Sequence, residues 1–309
     1  MDTFILQLAL QNAIQFGGKT QVGIIMGKVI SQKPEADKKK LISEIQKVVT
    51  YVNGLSLDQQ QEELEHLGGP VEKVKVIQEK KFPELVRVGK KVVMRFAPNP
   101  SAPLHLGHLR QALWNWFFVE HYKGNYLLRF DDTDPQIKVP LKEAYTWIEE
   151  DLAWLGIKPH KIIIQSQRLN IYYDYAEQLL QQGHAYICTC DINSWRDLIR
   201  KGMGCSCRLL DPEIQLQRWK EMFTTYKAGE AVYRVKTDLD HKDPAARDFP
   251  GFRIVSQNKH PLEKKAKVWP LLNFASAIDD HEFKVTHILR GIDLQISDVR
   301  QNYIYKYFG

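Results

Sequence analysis

The sequence predicts an α/β fold, a doubly wound parallel sheet preceded by a small helical domain and interrupted by an inserted segment. Three observations predict it. Apolar residues near the start recur at helical spacing, the period switches after residue 91 to alternating strand and helix, and all four cysteines fall between Cys188 and Cys207.

Leu6, Leu10, Ala13 and Ile14 form one helical stripe that stops at Gly17-Gly18, and Leu41, Ile45, Val48, Val49 and Val52 form a second. Ser56 and Gln59 offer a capping box for a third helix. The helical domain spans residues 1–68. Residues 69–91, with Gly-Gly-Pro and many lysines, read as a linker with some strand structure. The run Val92-Val93-Met94-Arg95-Phe96 then reads as a buried strand, His108 to His121 as a helix, and Tyr126 to Phe130 as a strand. Pro140 to Leu155 is a helix closed by Gly156, Ile162 to Ile164 a strand, and Arg168 to Gln182 a helix entered through Ser166 and left at Gly183. This alternation defines the first half of the sheet domain, residues 92–185. Residues 186–284 form the insertion, and the apolar run Thr286-His287-Ile288-Leu289 suggests that the sheet resumes in 285–309.

The composition is ordinary for a globular chain of 309 residues, 44% hydrophobic and 26% charged, with a formal charge of +6 that fits a polyanionic partner without requiring one. No basic segment precedes the apolar N-terminal residues, and no run approaches the length of a membrane span, which argues against a signal peptide and a membrane protein. Clustered cysteines suit a local metal site in a reducing compartment better than a disulfide framework, so the expected location is the cytoplasm. Cys188-Thr-Cys190 and Cys205-Ser-Cys207 form two pairs that suit a closed tetrahedral Zn²⁺ site.

Two stretches compete for a nucleotide. Ala13 to Thr20 satisfies a relaxed phosphate-loop pattern, but a helix rather than a strand leads into it, so it is rejected. Arg95-Phe-Ala-Pro98-Asn99-Pro100-Ser101-Ala102-Pro103-Leu104-His105-Leu106-Gly107-His108 has the required strand, turn and helix. His105 and His108, three apart, can share one side of a first helical turn, where the helix dipole and imidazole N–H groups can hold phosphate oxygens; Gly107 leaves room for ATP.

This string resembles the HIGH motif of class I aminoacyl-tRNA synthetases, and more closely that of archaeal glutamyl-tRNA synthetases. The likeness continues through Leu128-Arg-Phe-Asp131-Asp132-Thr133-Asp134-Pro135, Glu150 to Gly156, Gln165 to Arg168, Asn273 to His281 and Leu289-Arg290-Gly291. The resemblance implies a Rossmann-type catalytic domain with an inserted, zinc-bearing acceptor-binding domain, and a reaction that activates glutamate with ATP and attaches it to tRNA(Glu). It implies that Pro98, Asn99, Pro100, Ser101, Gly107 and His108 bind ATP. His105 and His108 would stabilise charge during adenylate formation, with Mg²⁺ on the departing pyrophosphate. It further implies that Arg95 and Arg290 bind the side-chain carboxylate of glutamate and Asp131 its ammonium, with Asp132 and Asp134 structural. Cys188, Cys190, Cys205 and Cys207 would hold a structural zinc. The chain departs from the family pattern at Ala102 (usually Gly), Leu272 (usually Tyr) and Ile292-Asp293-Leu294 (usually Lys-acid-His). After Arg290 it runs only to Gly309, short of a lysine-bearing KMSKS loop, and so reads as a truncated chain with little aminoacylation of its own. Competing readings are a glutaminyl-tRNA synthetase, a degenerate paralogue that binds tRNA or protein without catalysis, and an adenylyltransferase with an H-x-G-H motif.

Overall fold

The computed structural model describes residues 2–32, 37–71 and 82–309. They fall into two compact units, Met1–Pro83 and Glu84–Gly309.

The first unit is helical: α1 (Thr3–Gln15), α2 (Val22–Gln32), α3 (Lys38–Gly54) and α4 (Leu57–His66). Asp2 caps α1 through the amides of Phe4 and Ile5, and Gly17 and Gly18 follow its end at positive φ. Its core joins Ile5, Leu8, Ala9 and Leu10 of α1 to Ile25 and Val29 of α2 and to Ile45, Val48 and Val52 of α3. The capping box expected at Ser56 and Gln59 is present on α4. The rejected phosphate loop is indeed entered from a helix; Lys19 Nζ there bonds the Asn53 carbonyl. Residues 82–91 of the expected linker contain no strand, and residues 72–81 lie outside the described residues.

In the second unit, β1 (Val93–Phe96), α5 (Leu106–His121), β2 (Asn125–Phe130), α6 (Lys142–Trp154) and β3 (Lys161–Ile164) follow one another in that order. The strands form a parallel sheet ordered β1-β2-β3, with Val93 opposite Asn125 and Leu127 opposite Lys161. Both crossovers run the same way, so α5 and α6 cover one face. Met94, Phe96, Tyr126, Leu128 and Phe130 meet Ala112, Phe118, Tyr145, Ile148 and Leu152 there. Among the described residues the sheet is wound in one direction only, where the sequence predicts two.

A short 3₁₀ turn (Gln165–Arg168) leads into α7 (Leu169–Gln181). Ser166 lies inside this turn and does not cap α7. Its N–H and Oγ donate to Asp132 instead. An antiparallel sheet follows, ordered β4-β5-β6-β7: β4 (Ala185–Cys188), then α8 (Ile192–Arg200) and α9 (Pro212–Thr224), β5 (Val232–Val235), β6 (Pro250–Ile254) and β7 (Val268–Pro270). Its aromatic core holds Trp219, Tyr233, Phe252, Trp269 and Phe274.

The chain closes with α10 (Leu272–Glu282) and α11 (Gln295–Phe308). Two expectations are corrected here. The sheet does not resume at Thr286–Leu289: Thr286 and His287 bond only Val93 of β1, whose amide donates to Thr286 Oγ1 and whose carbonyl accepts from both backbone amides, and no ladder forms, while Leu289 packs against the core under α5 and α6. And α10, grouped with the insertion by sequence, reaches the parallel sheet. Its Asp280 bonds Arg95 of β1 and Arg129 of β2, and Phe283 and Val285 just beyond it meet Val93, Leu127 and Ile163 on the face that α5 and α6 leave open. No helix among the described residues is long and apolar enough to cross a membrane.

Candidate active site and cysteine cluster

Strand alternation gives the parallel sheet one apolar face and one ionic face. Met94 and Phe96 point into the core under α5 and α6, so Arg95 points the other way, as does Arg129 two residues beyond Leu127. Both guanidiniums are buried and meet the acids of α10. Arg95 donates to Asp280 through Nε (2.8 Å) and Nη2 (3.1 Å). Arg129 donates to Asp280 (2.7 Å), to Asp131 through Nε (2.6 Å) and to Ser276 Oγ (3.0 Å). Arg168 holds Asp279 (2.9 Å), which also accepts from Tyr172 and Gln165. Three arginines thus balance three aspartates. Buried charges persist when they are paired and hydrogen-bonded, and this network satisfies both conditions.

The two carboxyls at its centre are tuned in opposite directions. Burial pushes Asp280 up, but Arg95 and Arg129 outweigh it and hold the group below the usual carboxylate value. At Asp131 burial wins over Arg129 and the pKa rises.

Beside the network, at the carboxyl ends of β1 and β2, lies a cavity of about 530 Å³. Of the residues expected to bind substrates, Arg95, Pro98, Asn99, His108, Asp131 and Arg290 line it, whereas Pro100, Ser101, His105 and Gly107 do not. Arg95 has three N–H hydrogens left after its two bonds to Asp280. Arg290 donates to Gln301 through Nη2 (2.8 Å); its Nε lies 3.2 Å from Asp298 but has no hydrogen bond. Burial, then the neighbouring Arg95, lower the Arg290 pKa. Two guanidiniums crowded at one end of a cavity suit a carboxylate. The proline-rich turn is tied to the loop after β2: the Asp131 amide donates to Pro98 (3.0 Å), and Asn99 Nδ2 donates to the Asp131 carbonyl (2.9 Å).

His105 is the N-cap of α5. Its Nδ1 accepts from the Gly107 amide (3.1 Å), and His108 Nδ1 accepts from the His105 amide (3.4 Å). With both Nδ1 atoms accepting, both neutral rings carry their proton on Nε2, and they stack with centroids 3.8 Å apart. Burial, then His105, hold the His108 pKa below the ordinary 6.5. Gly107 serves its neighbour here: a Cβ would lie 2.9 Å from His105 Cε1, so the glycine admits the capping imidazole.

Sequence reasoning gave Asp132 and Asp134 only turn-capping roles. Asp134 does cap, accepting from the amides of Gln136 and Ile137, and it also pairs with Arg253 of β6 (2.6 Å). Asp132 is a fully buried junction that binds Tyr145 and Ser166, with His260 Nε2 3.3 Å away. Arg129, Ser276, Lys138 and Arg253 were given no role at all. The signal for Arg129 was an arginine in the middle of an apolar strand, together with the adjacent acids Asp279-Asp280 directly after the mostly apolar run Ala275 to Ile278 of α10. Of the departures, Leu272 and Leu294 line the cavity and Ala102 and Ile292 do not.

The four cysteines converge at the end of β4. Their sulfurs all lie within 4.8 Å of one another, with Cys188–Cys205 at 3.8 Å and Cys190–Cys207 at 3.7 Å. A zinc–sulfur bond of about 2.3 Å sets the edge of a regular S₄ tetrahedron at about 3.8 Å, so the four thiols fit that metal. They titrate unequally. Bonding to Cys188 is the main cause that brings Cys205 down to about 5, while burial brings Cys190 up to about 11.

Residues 91–309 match the family model for class I tRNA synthetases (E and Q), catalytic domain. The full chain is 46% identical to a glutamate–tRNA ligase of Pyrococcus furiosus and 45% identical to one of Methanocaldococcus jannaschii, covering 56% and 55% of those proteins. Thus the chain spans little more than half the length of the curated relatives it matches. A crystal structure of a glutamate tRNA ligase from Elizabethkingia meningosepticum in complex with its amino acid shares 27% identity at a TM-score of 0.51, covering 71% of this chain and 47% of that one. From the strand-turn-helix motif through the parallel sheet to the helix that carries the paired acids, the chain belongs to the class I tRNA synthetases of the E and Q type.

Proposed function

We propose that the chain is the N-terminal and catalytic part of a glutamate–tRNA ligase that activates glutamate with ATP and transfers it to tRNA(Glu), working in the cytoplasm. The observation that carries this reading is the cationic end of the cavity, where Arg290 and the remaining N–H groups of Arg95 stand beside a carboxylate, Asp131. Arg95 and Arg290 bind the side-chain carboxylate of glutamate, and Asp131, paired with Arg129, takes the ammonium. A neutral glutamine side chain would forgo the charge-assisted bonds that a carboxylate makes with this pair, which disfavours the glutaminyl alternative.

Pro98, Asn99, Pro100, Ser101 and Gly107 form the ATP-side turn, and the Nε2–H groups of His105 and His108 stabilise charge as the glutamate α-carboxylate attacks the α-phosphorus. Mg²⁺ neutralises the leaving pyrophosphate. The inserted segment, from residue 186 up to the start of α10, serves as the acceptor-binding domain, held by a structural zinc on Cys188, Cys190, Cys205 and Cys207. The 1–68 domain precedes it, and the parallel sheet is one half of a doubly wound domain.

Calorimetric titration tests the amino-acid site directly. Glutamate should bind at least about tenfold more tightly than glutamine, and Arg290→Ala should erase that preference while leaving ATP binding within a factor of about two. Equal weakening for both amino acids and ATP would instead give Arg290 a purely architectural role.

A further inference from the structure

The β4–β5 register sets Tyr186 opposite Arg234 and Cys188 opposite Val232. Alternate residues Ile187, Tyr233 and Val235 enter the aromatic core, so Tyr186, Cys188 and Arg234 share the face that carries the cysteines. Arg234 is 4% exposed. Its guanidinium stacks on Trp195 at 3.4 Å, its Nη1 reaches the Asp248 carbonyl at 3.5 Å, and its Nε has no hydrogen-bond partner. Among the described residues no carboxylate forms an ion pair with it. Arg218, on α9, is alike in lacking such a pair. Its Nη1 lies 3.4 Å from Cys207 Sγ and 3.4 Å from the Ile187 carbonyl.

A guanidinium buried without a counter-charge, as Arg234 is, is costly, and with the half-buried Arg218 beside the same cluster it calls for an anion. Four thiolates around a divalent ion carry a net charge of −2, which two guanidiniums cancel. We propose that Arg218 and Arg234 are the counter-cations of the Cys188–Cys190–Cys205–Cys207 metal site, positioning residues that set its affinity. Arg218 donates to a ligand sulfur, and Arg234 supplies its charge from the strand beside Cys188, held in place by the indole of Trp195. The inference rests on the zinc reading of the four cysteines.

The test measures zinc affinity of the full chain by competition with a chromophoric chelator, for the parent, Arg218→Met, Arg234→Met and the corresponding lysine variants. Each methionine variant should bind zinc about 10–100-fold more weakly, and each lysine variant should recover most of the loss. Thermal unfolding separates this from a packing role. With saturating zinc the methionine variants should unfold at lower temperature than the parent; in excess chelator they should be no less stable, because an uncompensated buried charge has been removed. Should Arg234→Met fail to fold, the half-buried Arg218 decides the matter. Parent chain that holds one zinc, with methionine variants that hold it within about twofold, overturns the assignment alone. Parent chain that holds no zinc overturns the metal reading and this assignment together.

Discussion

Replacing Asp280 by Asn removes one negative charge from the centre of the ionic face while keeping size and shape. Asp280 takes two N–H bonds from Arg95, one from Arg129 and a weaker one from Tyr305, with only 2% of its side chain exposed. The variant leaves three arginines, two of them buried, facing two aspartates. Breaking a buried pair in this way costs roughly 3–5 kcal/mol, several times the value of a surface ion pair. For a unit the size of Glu84–Gly309, one kcal/mol lowers the unfolding midpoint by about 2–4 °C, so Asp280→Asn should lower it by roughly 6–20 °C at pH 7. Circular dichroism melts at low and high salt would measure this, and the loss should persist in high salt because solvent does not reach the pair. The pH dependence carries a sign. Because the folded Asp280 sits below the ordinary 3.8, its stabilisation is complete above that value and is lost as pH falls through the folded value. The gap between parent and variant should therefore close below pH 3.8. Asp131 is raised, so its ionisation opposes folding as pH rises, but it does so in both proteins and cancels from the gap to first order. A loss below about 1 kcal/mol at pH 7, or a gap that widens in acid, would refute the buried-network account.

Two further outcomes probe local geometry. Gly124→Ala would place a Cβ 2.2 Å from the Val92 carbonyl oxygen at the entry to β2, so the backbone must shift; chemical denaturation should reveal at least about 1–3 kcal/mol of lost stability, and an unchanged midpoint would contradict the close approach. In the helical unit, Ser56→Ala removes the Oγ that accepts from the Gln59 amide, and its unfolding free energy should fall by about 1 kcal/mol, read as a lower midpoint with no change in denaturant slope.

The parallel strands were legible because each is a short apolar run bounded by turn residues, and α6 and α7 because Gly156 and Gly183 mark where they end. The helix α2 was not, since Val22, Gly23, Ile24, Ile25, Gly27, Val29 and Ile30 are poor helix formers; its form comes from packing Ile25 and Val29 against α1 and α3. Thr286–Leu289 misled for the opposite reason, being apolar to fill space beside β1 and under α5 without pairing along a strand. At the site, motif residues on one stretch of chain could be read together. The role of Arg129 could not, because its partners Ser276 and Asp280 stand about 150 residues away and only the folded chain brings them within reach.

That separation has a consequence for how the molecule assembles. The guanidinium of Arg95 waits for a carboxylate 185 residues further along, and that of Arg129 for the same group 151 residues on. Apolar strands and their two covering helices can collapse early, but the opposite side of the sheet stays wet and cationic until the intervening segment has folded and delivered α10. Long loops are closed late because their entropy is lost before any contact repays it. The ionic wall thus depends on chain more than 150 residues downstream, and during synthesis a ribosome must release residue 280 before that wall can exist.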